Sequence, residues 1–156
     1  MAKRKQVSEK DCLFCKLVRQ EIPSWVFYDD GEYMAFLTPY PNTLGATVVM
    51  PKKHLSDYVF DMDDEEIEKF MKVVKRVSKR LGEVLKVGRT ALIFEGTGVA
   101  HVHAKLFPLH GYLGQAMDID PNSRTFYEEY QGYLTTLGGP KMDDEKLDEL
   151  RDKLKF

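Results

Sequence analysis

The sequence predicts an α+β fold with a mainly antiparallel sheet of about five strands. Three observations carry that expectation. Short apolar runs, SWVFY at 24–28, EYMAFL at 32–37 and ATVVM at 46–50, are cut apart by turn-forming residues. One long stretch, 63–85, repeats apolar side chains at helical spacing. Two further strand-like runs, TALIF at 90–94 and HVHAKLF at 101–107, follow it, and the chain then becomes polar with helical periodicity.

Each element has a local cause. Residues 1–10 are polar and charged and are expected to form a flexible N-terminus. Asp11 is the candidate N-cap of a short helix from Cys12 to about Gln20, stopped ahead of Pro23. Asp29-Asp30-Gly31 is a turn between the first two strands. The loop Thr38-Pro39-Tyr40-Pro41-Asn42-Thr43-Leu44-Gly45 has too many breakers for regular structure, and Pro51 is expected to end the third strand. Asp63-Asp64-Glu65-Glu66 places acids where a helix dipole favours them. Ile67, Phe70, Met71, Val74, Val77, Leu81 and Leu85 then form the apolar face, and Lys72, Lys75, Arg76, Lys79 and Arg80 a solvated one.

Gly88 separates this helix from the fourth strand, and Pro108 closes the fifth. A helix over about Ser123–Leu137 ends at Gly138-Gly139-Pro140, and a thin amphipathic helix over 143–155 carries Leu147, Leu150 and Leu154. The predicted organisation is therefore a domain over 11–115 with a C-terminal helical extension, 116–156, packed on it.

Composition narrows the function classes. At 156 residues, 43% hydrophobic and 31% charged, the chain reads as one globular domain. A formal charge of −2 argues against a bulk electrostatic binder of nucleic acid. No apolar run reaches membrane-spanning length and none resembles a secretory signal, so a cytoplasmic location is expected. The two cysteines, Cys12 and Cys15, form a C-x-x-C. In a reducing compartment that leaves metal binding, thiol redox chemistry or coincidence. A redox motif normally follows a strand, and only about eleven residues, mostly polar, precede this one. Metal is the better reading, with half of a tetrahedral site supplied and two ligands to come from elsewhere.

The run His101-Val102-His103-Ala104-Lys105-Leu106-Phe107 alternates. As a strand it puts His101, His103 and Lys105 on one face, about 7 Å apart from one to the next. That row suits an anionic phosphate and a nitrogen nucleophile; the plainer alternative is a half-buried strand whose polar face meets solvent. Gly96-Thr97-Gly98 directly precedes it and could present backbone N–H groups to a phosphate.

Taken together, Cys12-Leu-Phe-Cys15-Lys16, Phe36-Leu37-Thr38-Pro39-Tyr40-Pro41, Gly45 to His54 and His101 to Phe107 resemble, in that order, the motifs of the histidine triad (HIT) family of nucleotide hydrolases and transferases. The resemblance covers about residues 11–110. It implies a structural zinc held by Cys12, Cys15, His54 and His101, and a nucleophilic His103. It also implies a nucleotide site built from Phe36, Leu37, Thr38, Gly96, Thr97, Gly98, His103 and Lys105, with Phe14, Phe27 or Phe36 as candidates for the base pocket. Lys105 stands where the third triad histidine belongs; as a catalytic residue it keeps a donor and adds a permanent charge. Thr38 replaces a common aspartate and Ala46 a common histidine.

The activity so implied is cleavage of the α-phosphate bond in a purine nucleotide conjugate, a dinucleoside polyphosphate or a nucleoside phosphoramidate, through a nucleotidyl-histidine. A nucleotidyltransferase, or a zinc-stabilised nucleotide-binding protein with little turnover, are the alternatives. The resemblance further implies a homodimer formed through the long helix and an adjoining strand, while charge and hydropathy lead to the expectation of no membrane or nucleic-acid partner.

Overall fold

The computed structural model describes residues 7–111 and 141–156. Helix α1 (Leu13–Val18) is followed by strands β1 (Trp25–Asp29), β2 (Tyr33–Leu37) and β3 (Thr47–Pro51). A short 3-10 helix (Val59–Asp61), the long helix α2 (Asp64–Leu85), strands β4 (Thr90–Ile93) and β5 (Ala104–Pro108) and helix α3 (Asp144–Leu154) complete the described elements. The strands form one antiparallel sheet in the order β1-β2-β3-β5-β4. The α+β class and the strand count therefore stand as the sequence predicted. The helix expected over 123–137, and the first six residues of the expected flexible N-terminus, lie outside the described residues.

Strands β2 and β3 are buried along their whole length because the sheet is covered on both faces. Tyr33, Ala35, Leu37 and Val49 point into a core shared with Phe70, Val74, Val77 and Leu81 of α2 and with Leu147, Leu150 and Leu154 of α3. Met34, Phe36, Val48 and Met50 point the other way, against Cys12, Phe14, Cys15 and Leu17 around α1. The period-two alternation of a strand thus feeds two separate clusters, which explains near-continuous apolar runs in an antiparallel sheet. The β3 strand includes Pro51, one residue further than predicted; Pro51 pairs with Tyr33 as the terminal residue, where a missing N–H is tolerated.

Helix α2 begins as its acids indicate, with the Asp63 side chain accepting from the Glu66 N–H at 2.8 Å. It ends on Lys86, held in the left-handed conformation at φ 56°. Two parts of its predicted pattern need correction. Met71 is 38% exposed, because it lies about 100° around the helix from Phe70, past the edge of the buried stripe, and Val73 takes the buried place instead. On the basic face, Lys72, Lys75, Arg76 and Lys79 meet solvent as expected, Arg76 also donating to the Tyr28 hydroxyl at 2.9 Å, whereas Arg80 is half-buried. Arg80 donates to the carbonyls of Leu154, Lys153 and Lys155 at 2.9, 2.8 and 3.1 Å. A guanidinium at the end of α3 satisfies carbonyls that the helix itself leaves open. Arg80→Ala should loosen the C-terminal helix at a cost of about 1–3 kcal/mol, read as a lower urea midpoint and faster proteolysis near residue 150; an unchanged midpoint would contradict this anchoring.

At the N-terminal end, α1 is capped by Cys12 rather than by Asp11. The first helical bond runs from the Lys16 N–H to the Cys12 carbonyl, and Asp11 belongs to the preceding turn, its side chain accepting from the Ser8 hydroxyl at 2.7 Å. Among the described residues no helix is long and apolar enough to cross a membrane.

Candidate functional site

Helix α1 places Cys12 and Cys15 one turn apart on the same side. Their sulfurs face two imidazoles that arrive from distant parts of the chain. Cys12 Sγ and Cys15 Sγ each lie 3.6 Å from His101 Nδ1, and Cys15 Sγ lies 3.2 Å from His54 Nδ1. All four donor atoms fall within 4.8 Å of one another. A tetrahedron with arms of roughly 2.0–2.3 Å has edges of about 3.3–3.8 Å, so these separations suit one small cation at the centre. The tautomer suits it too. His101 Nε2–H donates to the Pro51 carbonyl at 2.8 Å, and since a carbonyl only accepts, Nδ1 is left with its lone pair toward the sulfurs. Burial, with some help from its neighbours, pushes the Cys15 thiol up to about 12, and burial pushes His101 down to about 4. A pair of thiolates here needs a cation beside it, and the neutral imidazole is ready to ligate one. The four residues implied by the resemblance are thus brought together, and they could hold a metal.

The histidine segment departs from prediction in one respect. Strand β5 begins at Ala104, not at His101. Its pairing with β3 runs Thr47↔Leu106, Val48↔Lys105, Val49↔Ala104 and stops. The next stretch of β3 ends in Pro51, which has no N–H to donate, and the Pro51 carbonyl is taken by the His101 ring. The alternation survives without the ladder: Val102, Ala104 and Leu106 enter the α2 core, while His101 and His103 face the α1 side.

His103 Nδ1–H donates to the carbonyl of His101 at 2.7 Å, which leaves the Nε2 lone pair uncommitted by that bond. Phe14 stands edge-on to the ring at 5.0 Å between centroids and fixes its plane. Burial is the main cause holding this imidazole below its ordinary pKa, with the nearby Lys105 charge acting in the same direction. The side chain is therefore a neutral, oriented nitrogen base at pH 7.

His103 lines a cavity of about 390 Å³, a size suited to a small ligand. Across the sheet Phe36 pairs with Val48 and Val48 with Lys105, and all three border the cavity. Thr38, Pro39 and Tyr40 close one side and Gly98 another. Leu37 also borders it, but its side chain belongs to the opposite core. Of the base-pocket candidates, Phe14 and Phe36 border the cavity and Phe27 packs against α2. Gly96 and Thr97 are not among its lining residues. Gly96 has another duty: at φ +68° a Cβ would sit 2.3 Å from the Asp57 carbonyl oxygen, so only glycine passes there. His110 donates through Nε2 to the Leu44 carbonyl at 2.9 Å and is exposed, as a loop residue.

Sequence reasoning missed the apolar lining from Leu13, Leu17, Ile22, Trp25, Val48 and Val99, and one charged residue beside the cavity. Glu95 Oε2 meets Lys105 Nζ at 2.6 Å, with side-chain exposures of 20% and 24%. The available signal was an acid immediately before Gly-Thr-Gly, which nothing local links to a lysine ten residues on.

The fold and the site define a class first: a two-sided antiparallel sheet carrying a Cys2His2 cluster and a histidine-lined cavity on the same face, the one covered by α1. Residues 19–111 match the HIT domain family, and the chain belongs to that family. It is 40% identical over 105 residues to an uncharacterized HIT-like protein of Methanocaldococcus jannaschii, covering 62% of this chain and 78% of that protein. It is 33% identical over 102 residues to adenosine 5'-monophosphoramidase hnt1 of Schizosaccharomyces pombe, covering 62% and 73%. Among solved structures it resembles a hypothetical histidine triad nucleotide-binding protein of Sulfolobus tokodaii, with a TM-score of 0.70 at 24% identity over 92% of this chain and 89% of that one.

Proposed function

We propose that the protein is a nucleotide phosphohydrolase that cleaves the α-phosphate bond of a purine nucleotide conjugate through a nucleotidyl intermediate on His103. The observation that carries this reading is the buried His103 ring, its Nδ1–H tied to the His101 carbonyl at 2.7 Å, lining the same cavity as Lys105. Membership of the family and similarity to a phosphoramidase support the reaction class.

In the first step the Nε2 lone pair forms a bond to the α-phosphorus. The bond from phosphorus to the leaving amine or phosphate breaks, its electron pair goes with the leaving group, and that group takes up a proton. The positive charge on the imidazole is stabilised by the His101 carbonyl. In the second step a water oxygen bonds to phosphorus, the N–P electron pair returns to Nε2, and the nucleoside monophosphate leaves with the water's proton released. Lys105 balances charge on the phosphate oxygens at the third triad position, and Gly98 contributes the nearest stretch of the glycine loop. Phe14, Phe36 and the Thr38–Tyr40 loop receive the nucleoside.

The Cys2His2 donor set fits zinc, which prefers soft and borderline ligands in a tetrahedron. It would be structural: Cys12, Cys15, His54 and His101 use all four positions, and the site ties α1 to the histidine segment. Rapid quenching during turnover of an AMP phosphoramidate should yield an AMP adduct that peptide mass spectrometry locates on His103. An adduct on any other residue, or turnover with no phosphorus–nitrogen adduct at all, would sink the mechanism.

A further inference from the structure

The Lys105 ammonium does not stand in the cavity as a bare charge; it is held by Glu95, and four observations indicate that this pair is built into the site. The contact is short, 2.6 Å, and both ends are shielded, unlike the open pairs Lys69–Glu65 and Lys72–Glu68 on α2. Lys105 lies opposite Ile93 in the β4–β5 register, and Glu95 is two residues beyond Ile93, at the diagonal position on the same face. The backbone after Glu95 is pinned because Gly96 passes against the Asp57 carbonyl, where no side chain fits. Finally, Lys105 borders the cavity with His103 two residues away along an extended chain, about 7 Å, so a phosphate attacked by His103 lies within its reach.

We propose that Glu95 sets the charge of this site: by holding Lys105 as half of a neutral pair, it selects nucleotides with a single phosphate and an uncharged or cationic leaving group over those with a polyphosphate tail. The inference rests on the nucleotide reading of the cavity and names the residue that decides among its substrates. A shielded carboxylate beside the lysine repels each additional phosphate, while one phosphate is accommodated by the ammonium and the oriented imidazole. Glu95 is thus a positioning and specificity residue that acts through Lys105.

The test is a charge cycle read by calorimetric binding of AMP and ATP to the full chain, alongside turnover of an AMP phosphoramidate and diadenosine tetraphosphate. Glu95→Gln keeps the shape and removes the charge. It should improve ATP binding relative to AMP by about tenfold, the effect of one unit charge across roughly 10 Å at an effective dielectric near 20. The ratio of turnover should move the same way. Lys105→Gln should shift the ratio in the opposite direction, and the double variant should return it to within about threefold of the wild type. A purely structural pair would lower the melting temperature without restoring any ratio in the double variant. If Glu95→Gln is recovered unfolded, the Lys105→Gln arm and the double variant decide. Wild-type binding of both nucleotides with a ratio that stays within twofold across the variants overturns the role of Glu95 alone. Failure of the wild type to bind either nucleotide overturns the nucleotide reading and this inference with it.

Discussion

On the reading proposed above, replacing His103 by alanine should lower release of AMP from an AMP phosphoramidate by about 10⁴-fold or more, because among the described residues no neighbouring imidazole can take its place as nucleophile. His101 is the nearest imidazole, and it is committed twice: its Nε2 to Pro51, its Nδ1 to the sulfur side. His110 is exposed and donates to Leu44. The substitution removes a ring that Phe14 holds edge-on and leaves the core on the α2 side untouched. Its stability cost should therefore stay within about 1–3 kcal/mol, and AMP should still bind. Turnover within tenfold of the wild type would refute the assignment of His103, whereas loss of both turnover and native circular dichroism would call for His103→Asn, which retains polarity in a similar space.

The second large effect is expected from emptying the proposed metal site, by removing its cation or one of the two cysteines. Chelator treatment, or Cys15→Ser, should bring zinc from about one per chain to near zero and lower the melting temperature by about 10 °C or more. The physical reason is what the cluster joins. Helix α1 has only six residues, too few for stability on its own, and it contacts the sheet through one apolar cluster. The four donors tie it to the end of β3, through His54, and to the histidine segment, through His101. With the cation gone, two buried thiols and two imidazoles remain without the bonds that justify their burial. Since Phe14 lies between the cysteines and contacts His103, turnover should fall with metal content as well. Protein that holds far less than one zinc per chain after mild purification, and whose melting temperature does not respond to a chelator, would refute the site.

The parts that were legible in the sequence are those set by residues near one another. The period of α2, the acids at its start, the turn at Asp29-Asp30-Gly31 and the leucines of α3 all express local geometry, and every predicted element among the described residues except β5, which starts three residues late, formed within a residue or two of its expected place. The C-x-x-C spacing and the H-x-H alternation are local as well, and together with His54 they resemble a family pattern closely enough to point to all four members of the Cys2His2 cluster. Met71 was misplaced because a stripe read from a list of apolar residues has no sharp edge. Asp11 was misplaced as the cap because a turn, stabilised by Ser8, competes for the same residue.

What the chain alone determined is the set of elements and the chemistry they carry: two thiols one turn apart, two alternating imidazoles, a glycine loop ahead of them. What only the tertiary structure decided is which distant groups meet. The order β1-β2-β3-β5-β4 seats β5 between β3 and β4, so that Pro51 ends the ladder at Ala104 and its carbonyl orients His101. The same order lays Glu95 diagonally across from Lys105. Strand order and register follow from burying both faces of the sheet at once, a condition on the whole chain that no local period expresses. The histidine run was visible from the first, but the charge that Lys105 presents is a property of the pair it forms, and only the folded chain makes that pair.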